Sequence, residues 1–257
     1  MAQKEAVKID GRCEYKYILE SGTAAKLREK IGEILLPDPY GGGGSYVISS
    51  LYFDSPARHL YLQTLDRVPC RYKLRLRVYG AEPHWLSGDP VSFFEIKSKT
   101  EGLSVKRRLR LRLPENLGLA EGVIPDTLSP SDMRLAADIS RLIRAENLSP
   151  AAVVSYERLA FYDPASDLRV TFDSGLRIRT ADLSLHSGSY GDPAMGGECV
   201  LEVKSSENIP LGITRLIGSF GLRNSSYSKY GRTNFIISKG ESPCLTTSPE
   251  SPKASAR

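Results

Sequence analysis

The sequence lacks the features that mark several common classes of protein. No stretch approaches about 18 consecutive apolar residues, which excludes a transmembrane helix. The first residues, MAQKEAVKIDGRCEYKY, lack the hydrophobic core of a secretory signal. The four cysteines are scattered, with no CxxC pair and no density typical of a disulfide framework. These absences predict a cytoplasmic protein with reduced thiols.

Histidine is scarce as well. His59, His84 and His186 lie far apart without the spacing of metal ligands, which favours surface or structural roles. The glycine run at 41–44 is not followed by the Lys-Ser or Lys-Thr of a phosphate-binding loop, so we interpret it as a flexible connection. No internal repeat of useful length is present.

Alternating polar and apolar residues are abundant instead. The stretch RYKLRLRVYG at 71–80 puts a cation at every second position from Arg71 to Arg77, with apolar or aromatic side chains between them. A strand with this pattern has one cationic face and one apolar face. Nine further segments alternate similarly: 12–19, 46–53, 91–98, 104–113, 153–161, 168–173, 176–180, 198–204 and, less clearly, 231–237.

Four helical patterns interrupt these strands. They cover 21–36 with Ser21 as the N-cap, 54–65 with Ser55 before Pro56 at the first helical position, 131–145 beginning at Ser131, and 208–222. Helices between groups of strands predict an α+β fold with a largely antiparallel sheet. We expect an antiparallel β-barrel of about eight strands with helices packed outside. It forms a domain over 1–239, followed by a disordered Ser/Pro-rich tail over 240–257.

The polar strand faces carry many cations and few acids. The net charge is only +5, but lysine and arginine cluster at 67–77 and 104–112, which predicts a local anionic partner. Burying an unpaired ion costs several kcal/mol, so inward-facing cations require anions. Carboxylates among them can hold a divalent metal. Linear polyphosphate with Mg²⁺ or Mn²⁺ meets both demands. Three strands carry Glu-x-Lys on this face: Glu14/Lys16, Glu95/Lys97 and Glu202/Lys204.

Eight motifs follow one another in a recognisable order: SSLYFDSPARHLYLQTL, KLRLRVYG, FFEIKSK, LSVKRRL, SYERLAFYD, RVTFD, VLEVKS and SYSKYGRTNF. Over roughly residues 10–238 the sequence therefore resembles the VTC domain. This is the catalytic domain of the vacuolar transporter chaperone polyphosphate polymerases, within the triphosphate tunnel metalloenzymes of the CYTH-like superfamily.

The resemblance implies a barrel whose tunnel binds the triphosphate of ATP and a growing inorganic polyphosphate chain. It implies an ATP:polyphosphate phosphotransferase that depends on Mn²⁺ or Mg²⁺, with Glu202 as the metal ligand. The implied phosphate-binding residues are Lys16, Arg75, Arg77, Lys97, Lys106, Arg158, Arg169 and Lys229. Those with an implied catalytic role are Arg75, Arg77, Lys97, Arg158 and Lys229. Four others, Arg71, Lys73, Arg108 and Lys204, match in character only.

Two positions depart from the family pattern. Arg12 stands where the triphosphatase branch has a first-strand glutamate, which weakens two-metal hydrolysis and favours a polymerase-type site. Thr64 stands where some eukaryotic polymerases have another tunnel arginine. The sequence leaves two roles open for Asp173: a ligand in the metal shell, or an acid in a turn before Ser174-Gly175.

Two alternative functions stay open. One is a metal-dependent triphosphatase acting on tripolyphosphate or nucleotides, and the other is a non-catalytic polyphosphate- or nucleotide-binding module. A nucleic-acid partner is not expected, because it requires aromatic stacking platforms beside the cations. Most strand aromatics instead lie on the opposite face: Tyr15, Tyr17, Tyr72 and Phe94. Nothing in the sequence identifies a protein partner.

Overall fold

The computed structural model describes residues 8–9, 13–80, 89–101 and 103–233. Within these residues the chain forms one sheet and five α-helices. Their order is β1 (Lys8–Ile9), β2 (Cys13–Leu19), α1 (Ser21–Gly32), β3 (Leu36–Pro37), β4 (Tyr46–Asp54), α2 (His59–Leu65), β5 (Arg71–Tyr79), β6 (Val91–Thr100), β7 (Leu103–Arg112), α3 (Leu113–Ala120), α4 (Pro130–Ala145), β8 (Ser149–Tyr162), β9 (Arg169–Arg179), β10 (Asp192–Pro193), β11 (Cys199–Ser205) and α5 (Leu211–Ser219).

The strands lie in the order β1-β7-β6-β5-β4-β8-β9-β11-β2, with β3 beside β8 and β10 beside β9. Each pairing between described strands is antiparallel. Eight of these strands are seven or more residues long. The expected α+β fold with an antiparallel barrel sheet of about eight strands is confirmed.

The sheet curls until its two ends approach each other. β1 pairs with β7 at one end and β2 pairs with β11 at the other, and three residues separate β1 from β2. Four peptide units span at most about 14 Å, so the ends lie close together. Lys97 on β6 also comes within 3.6 Å of Glu14 on β2. Among the described residues no backbone pairing joins β2 to β7, so the barrel is curled rather than hydrogen-bonded all the way round.

The helices cover the outer, apolar face of this sheet. Leu74 and Leu76 of β5 are fully buried in one cluster with Leu60 of α2 and Leu135 of α4. A second cluster joins Leu201 of β11 to α1 and α5: its helical members are Ala24, Leu27, Ile31, Ile213 and Ile217. The alternation around Arg75 therefore predicted the faces correctly, with leucines outward under the helices and cations inward.

The inner face is partly apolar, which the charge pattern did not predict. Tyr52 of β4 and Tyr156 of β8 are buried there together with residues that follow α5. Tyr230 stacks on Tyr52 with ring centroids 4.6 Å apart, and Tyr227 lies in the same cluster. The chain after α5 therefore packs into the barrel interior.

Three helix starts differ from the sequence predictions. Ser21 is not the N-cap of α1: Glu20 holds that position, and the Ser21 hydroxyl bonds to the Gly197 carbonyl. α2 begins at His59 rather than at Pro56, because the buried Asp54 carboxylate accepts the Leu60 and Tyr61 N–H groups of its first turn.

At the third start, the cap of α4 is Ser129, which accepts the Asp132 N–H, and the helix begins at Pro130. The sequence placed this start at Ser131, one residue too late. Pro130 fits the first helical position because its missing N–H needs no partner there.

Two strand predictions are also corrected. The segments 168–173 and 176–180 form one strand, β9, with an irregularity at Gly175, whose φ is 61°. A glycine in this left-handed conformation is typical of a β-bulge. The strand expected over 104–113 ends at Arg112, and α3, which was not predicted, begins at Leu113.

Some predictions fall outside the described residues. These are the disordered tail at 240–257, the position of Arg12, and the part of the segment 231–237 beyond Thr233; Tyr230–Arg232 forms a 3-10 turn. In the described part of the chain, no helix is both long enough and apolar enough to cross a membrane.

Candidate functional site

Seven strands and the segment after α5 direct charged side chains into the barrel. Among the described residues, ten cations and four carboxylates cluster on this inner face, a formal excess of six positive charges. The cations are Lys16, Lys73, Arg75, Arg77, Lys97, Lys106, Arg108, Arg158, Lys204 and Lys229. The carboxylates are Glu14, Glu95, Asp173 and Glu202.

Glu202 on β11 lies among four of these cations. Its carboxylate oxygens are 2.8 Å from Lys204 Nζ and 3.4 Å from Lys16 Nζ. Arg158 Nη2 and Lys229 Nζ are each 3.8 Å away. Burial alone would raise the pKa of Glu202, but the surrounding cations hold it well below its usual range. Glu202 is therefore ionised at neutral pH.

Asp173 on β9 is the second carboxylate of this region, and it lies in the strand rather than in a turn. Arg158 donates to it from Nε and Nη2 at 2.6 and 2.7 Å, and Lys229 Nζ is 2.5 Å away. Only 1% of the Asp173 side chain is exposed. Burial alone would raise its pKa, but Arg158 and Lys229 lower it. Asp173 thus fixes the direction of two cations beside Glu202.

Glu95 on β6 organises a second group of cations. Arg75 on β5 lies directly opposite it on one side and Arg108 on β7 on the other. Arg75 Nε is 2.6 Å, Lys106 Nζ 2.6 Å and an Arg108 guanidinium nitrogen 2.7 Å from its oxygens. Burial alone would raise the pKa of Glu95, but these cations hold it well below its usual range.

Arg77 differs from the other inner arginines because its partners are neutral. Only 6% of it is exposed, and it donates to the hydroxyls of Ser50 at 3.0 Å and Tyr156 at 3.3 Å. No carboxylate among the described residues forms an ion pair with it. Tyr156 links the two groups of cations, because Lys229 Nζ also lies 4.7 Å from its ring centre. Glu95 attracts Arg77 electrostatically but is directly paired with three other cations, so the Arg77 guanidinium is a ready partner for an incoming anion.

Three lysines lie side by side across neighbouring strands. Lys73, Lys97 and Lys106 are in register on β5, β6 and β7. Burial lowers the pKa of all three, to about 8 for Lys73 and about 7 for Lys106. Lys97 reaches Glu14 across the barrel, and Lys73 donates to the Ser228 hydroxyl at 3.0 Å. The carboxylates near this row are shared with other cations, so the three lysines are not fully neutralised in the free protein.

Glu14 lies where three lysines meet. Its oxygens are 3.0 Å from Lys16 and 3.6 Å from both Lys97 and Lys204. Burial alone would raise the pKa of Glu14, but these lysines lower it to about 2. Glu14 is therefore a counter-ion rather than a base at neutral pH.

The structure brings most of the candidate residues together. Six of the eight cations proposed from the resemblance lie in the two groups or the lysine row: Lys16, Arg75, Lys97, Lys106, Arg158 and Lys229. Arg77 lies between the groups, at Tyr156. Lys229, which rested on its motif alone, lies against Asp173. Arg169 lies opposite Lys204 on the same face, but its guanidinium is paired with Asp38 and donates to the Tyr46 hydroxyl at 3.3 Å. Arg71 donates to the Val68 carbonyl, and Thr64 to the Leu60 carbonyl inside α2.

Sequence reasoning missed several aromatic residues of the inner face. Arg75 donates to the Tyr52 hydroxyl at 3.2 Å, and Tyr46, Tyr79 and Phe93 share the face with the charged residues. Burial alone would raise the pKa of Tyr52, but Arg75 and its neighbours lower it to about 8. The alternation of strand side chains could have put these rings on the inner face. Tyr52, for example, lies two residues after Ser50, which bonds to Arg77 inside the barrel.

A metal ion fits this site only with help from a phosphate ligand. Among the described residues, no three His, Cys, Asp or Glu side chains converge on one point. Glu202 and Asp173 share Lys229 as a partner, so both are surrounded by positive charge. Mg²⁺ is commonly held by one or two carboxylates together with substrate phosphates and water. Glu202 fits that mode of binding.

The family model of the VTC domain matches residues 11–234, nearly the whole described chain. The chain belongs to the VTC domain family. No curated protein matches the sequence. This VTC domain is similar in structure to a "putative adenylate cyclase" from Bacillus halodurans, with a TM-score of 0.50 and 16% identity over 85% of this chain and 95% of that one.

Two other solved structures show weaker similarity to the VTC domain described here. One is HpAC1 from Hippeastrum, described as having a dominant triphosphatase activity, with a TM-score of 0.47 and 17% identity over 91% of this chain and 98% of that one. The other is the PH1012 protein from Pyrococcus horikoshii, with a TM-score of 0.44 and 13% identity over 85% of this chain and 97% of that one.

Proposed function

We propose that this VTC domain is a metal-dependent polyphosphate polymerase that transfers the γ-phosphoryl group of ATP to an inorganic polyphosphate chain. The observation that carries the proposal is Arg77, a buried guanidinium that donates to neutral hydroxyls and pairs directly with no described carboxylate, inside a barrel with a large excess of positive charge. A phosphate chain supplies the missing negative charge.

The cations have distinct roles in this proposal. Arg75, Arg77 and Arg158 bind the triphosphate, because guanidinium groups hold phosphate oxygens through paired hydrogen bonds. Lys97 and Lys229 neutralise charge at the transferred group, and Lys16 and Lys106 extend the phosphate path. Arg169 is paired with Asp38 in the free protein and would bind phosphate after leaving that partner.

The reaction needs no nucleophile from the protein. An oxygen at the end of a polyphosphate chain, or of orthophosphate at the start, attacks the γ-phosphorus. The bond from the γ-phosphorus to the β–γ bridging oxygen breaks, and ADP leaves with that oxygen. Positioning and charge neutralisation dominate catalysis of phosphoryl transfer. Fixed arginines such as Arg158, held by Asp173 through two hydrogen bonds, supply both.

The low pKa values of the inner carboxylates favour a phosphate acceptor over water. The cations lower the pKa of all four: Glu14, Glu95, Asp173 and Glu202. A base with such a low pKa removes a proton from water poorly at neutral pH. A terminal phosphate has a pKa of about 6 and is already ionised, so it needs no base. Arg12, where a second first-strand carboxylate would stand, agrees with this preference.

Glu202 would hold the divalent cation, Mn²⁺ or Mg²⁺, in this proposal. When bound, such an ion neutralises phosphate oxygens and lowers the barrier to transfer. The four cations around Glu202 disfavour a free metal ion, and a triphosphate placed between them removes that disadvantage. We therefore expect metal and triphosphate to bind cooperatively.

Product analysis tests the proposal. Purified protein incubated with ATP and Mn²⁺ should form ADP and a polymer that resolves on a urea gel and is degraded by exopolyphosphatase. Protein with Arg77→Ala, purified in the same way, controls for contaminating kinases and should form little of either. Stoichiometric free phosphate without polymer would establish a triphosphatase instead. Tight tripolyphosphate binding without ADP under any divalent metal would leave a binding module.

A further inference from the structure

Four aromatic rings line one end of the barrel. Tyr46 begins β4, Tyr79 ends β5 and Phe93 lies near the start of β6, so the antiparallel register brings all three to the same edge. Tyr40, in the turn before β4, lies edge-on to Tyr46 and Tyr79 with both centroid distances at 5.1 Å. Tyr79 and Phe93 are 5.6 Å apart. We call these four residues the aromatic rim.

The outermost ring of the rim is open to solvent. Tyr40 is 62% exposed, whereas Tyr46 beneath it is buried. The short turn Pro39–Gly41 holds Tyr40, and its N-cap Asp38 accepts the Tyr40 N–H at 2.9 Å. Tyr40 is thus fixed by its backbone and by two edge contacts rather than by burial. An exposed aromatic ring held in this way offers a flat surface to a ligand.

The aromatic rim continues directly into the cationic interior. Arg169 donates to the Tyr46 hydroxyl, and Arg108 donates to the Tyr79 hydroxyl at 3.3 Å. Arg108 also lies over the ring of Phe93, 4.3 Å from its centre. Tyr46 is directly opposite Arg158, which holds Asp173 on the next strand. A ligand with a phosphate at Arg158 therefore has its next group at the rim.

We propose that the aromatic rim is a stacking platform for the base of a nucleoside triphosphate, with Tyr40 as its exposed face. This inference rests on the proposed function and adds to it which end of the barrel the nucleoside occupies. Stacking on one aromatic ring contributes about 1–3 kcal/mol per base and tolerates any base. The platform therefore separates nucleotides from inorganic tripolyphosphate, but it does not separate ATP from GTP.

Calorimetric titration without divalent metal, so that nothing turns over, tests the platform with ATP, GTP and inorganic tripolyphosphate. Tyr40→Ala should weaken ATP and GTP binding by about five- to a hundred-fold and leave tripolyphosphate binding unchanged. Tyr40→Phe keeps the ring and should bind all three ligands like the wild type. Tyr15→Ala is the matched control, since Tyr15 is 37% exposed and lies on the outer face of β2.

A fluorescent base gives an independent measurement. The triphosphate of 2-aminopurine riboside should be quenched on binding to wild type and Tyr40→Phe, and far less on saturation of Tyr40→Ala. If Tyr40→Ala weakened nucleotide and tripolyphosphate binding equally, or weakened neither, the stacking platform would be wrong while the cationic site would stand. Failure of the wild type to bind tripolyphosphate would instead overturn the proposed function.

Discussion

Tyr230 donates its hydroxyl hydrogen to the buried carboxylate of Asp54, which also accepts the first N–H groups of α2. The same tyrosine stacks on Tyr52. Lys229, the preceding residue, has its ammonium group against Asp173. The bond between Tyr230 and Asp54 therefore anchors the segment after α5 at the position where Lys229 enters the barrel.

Removing this anchor should affect both stability and binding. Tyr230→Phe keeps the stacked ring but loses a hydrogen bond to a charged group, so we expect a loss of about 1.5–3 kcal/mol in the free energy of unfolding. Because Lys229 is then held less firmly, tripolyphosphate should bind more weakly. Denaturation and calorimetric titration measure the two effects, and Tyr227→Phe in the same segment is the control.

A double-mutant comparison separates anchoring from a direct effect of Tyr230. In a Lys229→Ala background, Tyr230→Phe should cause no further loss of tripolyphosphate affinity. An undiminished loss in that background would show that Tyr230 acts independently of Lys229.

The two faces of β5 should respond differently to substitution. Arg75→Ala removes charge-assisted bonds to phosphate and should weaken tripolyphosphate binding by about ten- to a hundred-fold. Leu74→Ala should leave binding intact but cost about 2–5 kcal/mol of stability, because Leu74 is fully buried under the helices. Calorimetric titration and denaturation distinguish the two variants. Similar effects of both on binding would mean that β5 does not line the site.

Glu202→Gln should separate metal dependence from phosphate binding. The substitution removes a negative charge from among four cations, so metal-free tripolyphosphate binding should be retained or strengthened, while Mn²⁺-dependent turnover is lost. Glu157→Gln is the control, because Glu157 lies between Tyr156 and Arg158 and points outward. Full turnover in Glu202→Gln would remove this residue from the metal site.

Between about pH 7.5 and 9, tripolyphosphate affinity should fall in the wild type relative to a Lys106→Arg variant; the titration of the ligand itself is common to both proteins and cancels in the comparison. Burial lowers the pKa of Lys106 to about 7 and of Lys73 to about 8, and neighbouring cations lower that of Tyr52 to about 8. Deprotonation of each group makes the interior less positive. Bound phosphate raises these pKa values, so binding takes up protons.

Lys106→Arg keeps its charge throughout this range and should flatten the pH profile. Calorimetric titration in buffers of different ionisation enthalpy measures the proton uptake directly. Identical pH profiles for the wild type and Lys106→Arg would contradict the assignment of Lys106 to the binding surface.

The faces of the strands could be predicted from the sequence because strand side chains alternate with period two. Arg75 and Leu74, or Glu202 and Leu201, must point in opposite directions once the segment is a strand. Tyrosine carries no such signal, since its ring suits an apolar face and its hydroxyl a polar one. Tyr52 and Tyr156 could therefore be placed inside only from the parity of their neighbours Ser50 and Arg158.

The pairing of charges could not be predicted, because it depends on register. Glu95 gathers Arg75 and Arg108 only because β5 and β7 flank β6 with these residues opposite one another. Asp173 was open between a turn and a site because Ser174-Gly175 resembles a turn, whereas the structure bends there within β9 and keeps Asp173 in the strand. Helix α3 was missed because its first residue, Leu113, continued the alternation of β7.

A crystal structure with tripolyphosphate and Mn²⁺ tests most directly the claim that the barrel interior is a triphosphate site. We expect phosphate oxygens within hydrogen-bonding distance of the Arg75, Arg77 and Arg158 guanidinium groups, at roughly 2.7–2.9 Å. An anomalous manganese peak should lie at direct coordination distance from a Glu202 carboxylate oxygen and from the phosphates. Tripolyphosphate bound only on the outer surface, with Arg77 still bonded to Ser50 and Tyr156 alone, would contradict the account.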